Sequence, residues 1–559
     1  LLEDRADVEN AISVGAEWLG KEHPAVKALE IGMAVHHGGL PNPFLREVEL
    51  LLSKGILKVT VASPTLSQGL NINAAVLLVP YLVRAGSHIT GEEFANVAGR
   101  AGRAFVDMEG FVIHIMENQI ASRTKDWNKL ITSARERHLS SGLFQVIDSI
   151  YNKLSEKSDL NKQAAYEYLS GNTEAWFPKE IEKVEEGDEE INSMEFLVEK
   201  LDATVLGLIE ALESDSNDLE KLLEEALRGS LWARQVASMS NTIRSIHLKI
   251  LLARAKLIWA NTTLNSRRGH FAMGVGLDTG LELDRNSVEL EALLDVADEA
   301  AIDGNVNVLT TALIKLTERL LVLRPFLPKN TLPTDWKTVL IQWVSGKEVE
   351  VLGTNFIPFV EEIFAYKMIW ALEALRMRRL SQGWKPTTPA GGAAACLENG
   401  VPSFMMAMLI RAGLPSRIAA INAVSEGKGK FSNTSEMYIW LSGKLVRGLN
   451  KKANWPTSTT KDMWARFYKD FFTSNESVWN LEIKEIKFNS RNVINISDGQ
   501  YRVVMKDNVA NFYTPDLRKV FTLPQPFYER SPGLITAKIN LTKGIICLER
   551  FGPGKFSDK

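Results

Sequence analysis

The spacing of apolar positions changes along this chain and marks out its elements. Val59-Thr60-Val61-Ala62 is a short apolar run that breaks into the polar, glycine-containing stretch 63–74, which predicts a strand followed by a loop. Before it, Val8, Ile12, Val14, Trp18 and Leu19 recur at helical spacing. Residues 118–178 read as helices, carried by Trp127, Leu130 and Ile131 and then by Leu143, Phe144, Val146, Ile147, Ile150 and Tyr151. A long helical pattern covers 229–260, and 286–424 is strongly helical in the runs 308–323, 339–344, 356–380 and 404–424. From about residue 480 the period falls to two, in Leu481-Glu482-Ile483, Tyr501-Arg502-Val503 and Leu534 to Ile539, with turn signals at Asp498-Gly499 and Pro532-Gly533. The pattern predicts a multidomain chain: a partial α/β domain, then largely helical domains, then a small β-rich module. No internal repeat is visible.

Composition narrows the picture. A chain of 559 residues holds three or four domains with ample apolar content for their cores. No run of eighteen or more uncharged apolar residues occurs, so no membrane span is expected. The acidic start, Leu1-Leu2-Glu3-Asp4-Arg5, has no signal-peptide character. Two cysteines, Cys396 and Cys547, stand far apart without metal-ligand spacing, which favours a reducing, cytoplasmic setting and excludes a cysteine-rich zinc module. Net charge is −3, so nucleic-acid binding requires a local basic groove.

Three blocks carry candidate chemistry. In chain order they are Val35-His36-His37-Gly38-Gly39-Leu40-Pro41, then Ala62-Ser63-Pro64-Thr65-Leu66-Ser67-Gln68-Gly69-Leu70-Asn71, then Glu93-Phe94-Ala95-Asn96-Val97-Ala98-Gly99-Arg100-Ala101-Gly102-Arg103. Paired Gly-Arg steps let backbone and guanidinium approach a phosphoryl group together. In this order and spacing the blocks resemble the second motor domain of superfamily 2 DExH-box helicases of the superkiller type, over roughly residues 30–117. The wording is also similar to bacterial defence-associated helicases such as that of the Hachiman antiphage system, which works with a nuclease partner.

The resemblance implies roles residue by residue. Arg100 and Arg103 would be arginine fingers reaching across a cleft to ATP and Mg2+ bound mainly by a first motor domain. Gly69, Asn71, Asn96 and Gly99 would line the nucleotide edge of that cleft. His37, Gly38, Ser63 and Thr65 would hold nucleic-acid phosphates without reading sequence. Asn96 stands where the family usually has Gln, and Ser63 where it usually has Thr; the shorter amide puts the Asn96 hydrogen bond in question, whereas Ser63 keeps its hydroxyl.

No G-x-x-x-x-G-K-[ST] phosphate loop occurs. Gly346-Lys347, Gly427-Lys428 and Gly443-Lys444 each lack the Ser/Thr. Asp298-Glu299-Ala300-Ala301 imitates an acidic magnesium box but lies within a helical repeat, and we read it as a solvated helix face. The chain therefore reads as the C-terminal portion of a larger helicase or translocase, inactive as an ATPase by itself. The alternative is a degenerate-motor, nucleic-acid-binding scaffold, for which Asn96 is the support within the motifs.

Pattern and resemblance together divide the chain into four parts: 1–120, a RecA-like second motor domain without its N-terminal part; 121–260, a helical, winged-helix-like region with an acidic insert; 261–425, a helical ratchet-like domain; and 426–559, a basic and aromatic helix with the β-rich module. The acidic stretch 185–225 reads as solvated. In the ratchet-like part the long helix from Ile357 carries Arg376, Arg378 and Arg379, followed by Trp384 and Lys385, a composition suited to a single strand. Trp370 reads as core, and the three arginines as a surviving basic face. Arg267 and Arg268 beside Gly269 and Gly274 suit either a phosphate or close helix packing. A last basic and aromatic stretch runs from Lys444 to Lys469. The expected partners are nucleic acid, with DNA favoured, as a single strand or a duplex with an overhang, the first motor domain, and a nuclease.

Overall fold

Two short parallel strand pairs organise the N-terminal part of the chain. A computed structural model describes residues 8–63, 74–84, 87–99, 101–102, 110–116, 120–136, 141–157, 194–212, 218–239, 241–353, 356–385, 391–473, 480–487, 499–506, 509–514, 518–524, 534–541 and 544–552. The chain divides into two compact units, Leu1–Asp148 with Leu227–Arg244, and Ser149–Ala226 with Ser245–Lys559.

In the first unit, helices α1 (Glu9–Leu19), α2 (Pro24–Glu30) and α3 (Asn42–Ser53) surround β1 (Met33–His36). Val8, Val14, Trp18 and Leu19 are buried, as their helical spacing predicts. Gly15 lets α1 approach its neighbours: a Cβ there would lie 2.7 Å from Phe44 Cε2 and 2.8 Å from Val26 Cγ2. Strand β1 pairs in parallel with β2 (Val59–Ala62), in the register Met33 to Val59 and His36 to Ala62. The second pair is β3 (Val76–Val79) with β6 (Phe111–His114), and between them lie the small ribbon β4 (Val83–Arg84) and β5 (Ser87–His88) and the helix α4 (Gly91–Ala98). Helix α5 (Ile120–Glu136) packs on α4, and Val79, Leu82, Phe94 and Leu130 form their shared core.

Helix α6 (Gly142–Lys157) carries Val146, Ile147, Ile150 and Tyr151 on its buried side. Helices α7 (Met194–Glu210) and α8 (Leu219–Leu227) follow. The expected helix over 229–260 is two, α9 (Leu231–Ala237) and α10 (Asn241–Asn261), with Ser230 capping the first. Of the predicted acidic stretch, 185–193 and 213–217 lie outside the described residues.

The helical part continues through α11 (Leu264–Met273), α12 (Leu277–Arg285), α13 (Ser287–Asp303), α14 (Val306–Leu320) and α15 (Trp336–Val344). Two buried acids on α7 fix the start of α12. Glu199 Oε1 accepts from Gly276 N at 2.6 Å, and Asp202 is held bidentately by Arg254 at 2.7 and 2.6 Å. Burial pushes both carboxyls up, and the Arg254 guanidinium opposes this at Asp202. Between α13 and α14, Gly304 takes the left-handed conformation and Asn305 caps the next helix, which makes a short antiparallel connection.

The run predicted over 356–380 is helical but not uniform. A turn at Ile357–Phe359 leads into a π-helical segment, Val360–Lys367, and then α16 (Met368–Ser381). Trp370 is half-buried and packs edge-on to the buried Phe326 at 5.1 Å. The predicted run 404–424 breaks in the middle. Helix α17 (Gly392–Asn399) precedes α18 (Phe404–Arg411) and α19 (Arg417–Glu426), and between the last two Gly413 has φ 117° and Ser416 caps the second. Helices α20 (Thr434–Leu441), α21 (Lys444–Arg447), α22 (Leu449–Lys452) and α23 (Ser458–Thr473) complete this part.

Asp298 corrects the solvated-face expectation. It is buried, and its carboxylate accepts from Gly391 N at 3.1 Å and Ala393 N at 2.8 Å, so it caps α17 from a neighbouring helix. Helical spacing located the residue correctly; the face it occupies is the one turned to α17.

The chain ends in an antiparallel sheet of β7 (Asn480–Lys487), β8 (Gly499–Lys506), β9 (Val509–Tyr513), β10 (Lys519–Pro524), β11 (Leu534–Asn540) and β12 (Ile545–Gly552). Their order is β10-β9-β8-β11-β12-β7. The period of two puts Tyr501, Val503, Ile535, Ala537 and Ile539 on one buried face with Phe512, Ile546 and Leu548. Fold class is thus as the sequence implies: mixed α/β, then helical, then a small β module. Among the described residues no single helix is long and apolar enough to cross a membrane; the bent pair α17 and α18 passes by length and composition.

Candidate functional site

The parallel pairing of β1 and β2 brings two of the three motif blocks side by side. Ser63 N donates to His36 O at 3.2 Å, extending the strand ladder by one residue, so His37, Gly38 and Ser63 leave the same end of the pair. Carboxyl ends of parallel strands are where α/β sheets receive ligands. His36 Nε2 meets Glu49 Oε1 at 3.0 Å, which anchors this end to α3. His37 is half-buried, and burial, followed by the influence of His36, holds its pKa below the ordinary value. Its Nδ1 accepts from Gly39 N at 3.2 Å, so the neutral ring keeps its proton on Nε2, a donor suited to a phosphate oxygen. Gly38 is exposed, and a Cβ placed on it would meet nothing within 4 Å.

The third block is positioned by its cap and its C-terminal turn. Thr90 and Glu93 form a capping box at α4: Thr90 Oγ1 accepts from Glu93 N at 3.2 Å, and Glu93 Oε2 accepts from Thr90 N at 3.0 Å. Such a cap contributes about 1 kcal/mol. Phe94 meets Trp127 edge-on at 5.2 Å, and Trp127 stacks on His114 at 5.1 Å. At the other end of α4, Asn96 and Gly99 are exposed. Gly102, at φ 89°, donates its N–H to Ala74 O at 2.8 Å, and Ala101 bridges in parallel to Ala74. Gly110 closes this junction: a Cβ there would stand 2.3 Å from the Ala101 carbonyl.

Ala74 follows directly on the loop that holds Thr65, Gly69 and Asn71. The structure therefore ties the segment around the Gly-Arg steps to the end of the polar loop. Thr65, Gly69, Asn71, Arg100 and Arg103 themselves lie outside the described residues. Ala74 and Gly110 were not singled out by sequence reasoning; a glycine directly before an apolar strand, Phe111-Val112-Ile113, was the available signal.

The predicted free basic face on α16 is differently disposed. Arg378 is 7% exposed; its Nε donates to Asp284 Oδ1 at 2.7 Å and its other arm pairs with Glu291. Arg379 pairs with Asp295 Oδ1 at 2.6 Å and lies over the Trp384 ring at 4.0 Å. Arg376 pairs with Glu373, one turn away. These guanidiniums meet carboxylates, most of them on α12 and α13, because those helices present Asp284, Glu291 and Asp295 opposite them. Behind Arg378, the buried His270 reaches Asp284 Oδ2 at 3.0 Å, and the Ser266 hydroxyl donates to the same carboxylate. Burial opposes ionisation of Asp284, but the bonds from His270, Ser266 and Arg378 prevail and hold it at about 2. Arg267 reaches Glu210 at 3.2 Å and stacks on Trp259 at 4.4 Å, and Gly269 sits against Ser381 and Arg378, which favours the packing reading of that segment.

Among the described residues no group of three or more His, Cys, Asp or Glu side chains is arranged to hold a metal ion. No family model matches the chain. Known proteins do resemble it. The antiviral helicase SKI2 of Saccharomyces cerevisiae is 28% identical over 236 residues, 41% of this chain and 17% of that protein. The Hachiman protein HamB of Bacillus cereus is 25% identical over 249 residues, 43% of this chain and 21% of that protein. The probable helicase HelY of Mycobacterium tuberculosis is 31% identical over 121 residues, 21% of this chain and 13% of that protein. The chain thus spans about a fifth or less of the length of these relatives. Taken with the ordered blocks at 35–41, 62–71 and 93–103, these likenesses make this part of the chain similar to Ski2-like superfamily 2 DExH-box helicases.

Proposed function

We propose that the chain supplies the second motor half and the strand-binding domains of an ATP-driven nucleic-acid helicase or translocase, acting on DNA in the cytoplasm. The observation that carries this reading is the junction of Gly102 N with Ala74 O at 2.8 Å, which holds the Gly-Arg segment beside the end of the loop from Ser63. In a motor of this kind the strand-gripping loop and the phosphate-sensing arginines must move as one, and a shared backbone bond is the shortest linkage between them.

ATP, with Mg2+, supplies the transferable phosphoryl group when bound by the complete protein. The exposed last turn of α4 leaves Asn96 and Gly99 open to it. Arg100 and Arg103 stabilise the charge that develops on the transferred group. His37 Nε2–H, the Gly38 backbone and Ser63 hold the nucleic-acid backbone at the end of β1 and β2, contacts that grip without reading bases. The likeness to the antiviral helicase SKI2 and to the Hachiman protein favours a defence setting, for which a nuclease is the partner we propose.

Arg103→Ala in the complete protein is expected to lower strand-stimulated ATP hydrolysis about a thousandfold or more, with nucleic-acid binding retained. Steady-state hydrolysis with and without single-stranded DNA checks it; undiminished turnover refutes the assignment.

A further inference from the structure

The six basic side chains Lys428, Lys430, Lys444, Arg447, Lys451 and Lys452 are exposed, and among the described residues none is paired with a carboxylate. This sets them apart from Arg376, Arg378 and Arg379. They stand on a rigid support. Trp440 Nε1 donates to Gly427 O at 2.9 Å, Trp455 Nε1 donates to Leu449 O at 3.2 Å, and Trp455 stacks on the buried Trp464 at 5.9 Å. Gly427 lies against the lysine-bearing turn α22: a Cβ built on it would come within 3.1 Å of Leu449 Cδ1. Lys428 and the pair Lys451 and Lys452 therefore flank one packed junction.

Lys428 supplies a second, independent observation. It is the non-glycine residue with positive φ among the described residues, at 48°. It terminates α19, where Gly429 N donates to Val424 O at 2.8 Å. Glycine is the residue that takes this left-handed position without strain, and glycines stand on both sides of it. A long cation held in a conformation that favours glycine points to selection for its side chain rather than for the turn.

We propose that Lys428, Lys451 and Lys452 grip the sugar-phosphate backbone of nucleic acid, as a strand-binding knuckle additional to the motor motifs. The proposal rests on the nucleic-acid reading above. Ammonium groups meet phosphate oxygens without the planar matching that a guanidinium demands, so the contact is independent of sequence.

The test uses the 559-residue chain and a fluorescein-labelled oligothymidylate, with affinity measured across a salt series. Lys451→Gln with Lys452→Gln is expected to reduce the slope of log affinity against log salt by about 1.4, which is about fivefold in affinity per lysine near 0.1 M salt. Lys428→Gly is expected to weaken binding by a similar factor while raising the unfolding temperature by about 1–2 °C, because it relieves the left-handed strain. Equal affinity and equal salt slope in both variants overturn the knuckle and leave the helicase reading standing. An unsubstituted chain that binds no oligonucleotide overturns both.

Discussion

Arg378 and Lys428 show how little a basic residue says about its role until its neighbours are placed. Arg378 faces Asp284 and Glu291 and is an internal tie; Lys428 faces solvent and strains its own backbone. The tie has a pH signature. Asp284 has a folded pKa of about 2 against an ordinary 3.8, so its contribution to stability is complete above about pH 4 and is lost as pH falls toward 2. Asp284→Asn is expected to cost about 2 kcal/mol at neutral pH, by leaving Arg378 half-paired, and to flatten the loss of stability below pH 4. Urea unfolding across that range checks it. Glu361 carries the opposite sign. It lies in the π-helical segment with Oε1 buried and unpartnered, and burial pushes its pKa up to about 7. The folded state therefore holds a proton that the unfolded state releases near 4.5, and stability falls as pH rises through about 7. Glu361→Gln should raise the thermal midpoint at pH 8 and leave it nearly unchanged at pH 5.

At the scale of elements, the turn after α4 depends on a neighbour it does not resemble. Gly110→Ala places a methyl 2.3 Å from the Ala101 carbonyl, and the junction with Ala74 must open. Such overpacking costs about 1–3 kcal/mol. In the complete protein, stimulated ATP hydrolysis should fall sharply in this variant while oligonucleotide binding persists; hydrolysis equal to that of the unsubstituted protein would detach the junction from the motor. Much of the element pattern was legible. Val8 to Leu19 and Tyr501 to Val503 each declare their element because one face is buried and the other is not, whereas the exposed run Val59 to Ala62 declares its strand through its β-branched residues. The break at Gly413 to Ser416 was passed over, because apolar residues continue on both sides of it and mask the turn glycine, Pro415 and the Ser416 cap that separate α18 from α19. Asp298 was misread for a related reason. Periodicity finds the helix but does not say whether a polar face meets water or the open amides of another helix.

For the whole molecule, the motif order at 35–103 was the legible part, since it depends on residue identity along a short path. The pairing of Arg378 and Arg379 with acids 84 and 94 positions away was not, because no local pattern encodes which distant carboxylate a guanidinium will meet. A chain of net charge −3 binds a polyanion through the distribution of its charge, and here internal acids neutralise one basic cluster while another stays exposed.

The π-helical segment Val360–Lys367 sets the rotational phase of everything after it on the same rod. A wider turn accommodates a residue that an α-helix would have carried round to the next face. If the same residues wound as an ordinary α-helix, that extra residue would rotate Met368–Ser381 by about 100°. Arg378 would leave Asp284, Arg379 would leave Asp295, and Trp370 would leave Phe326. The length of this segment, more than its composition, decides which side chains the helix turns inward.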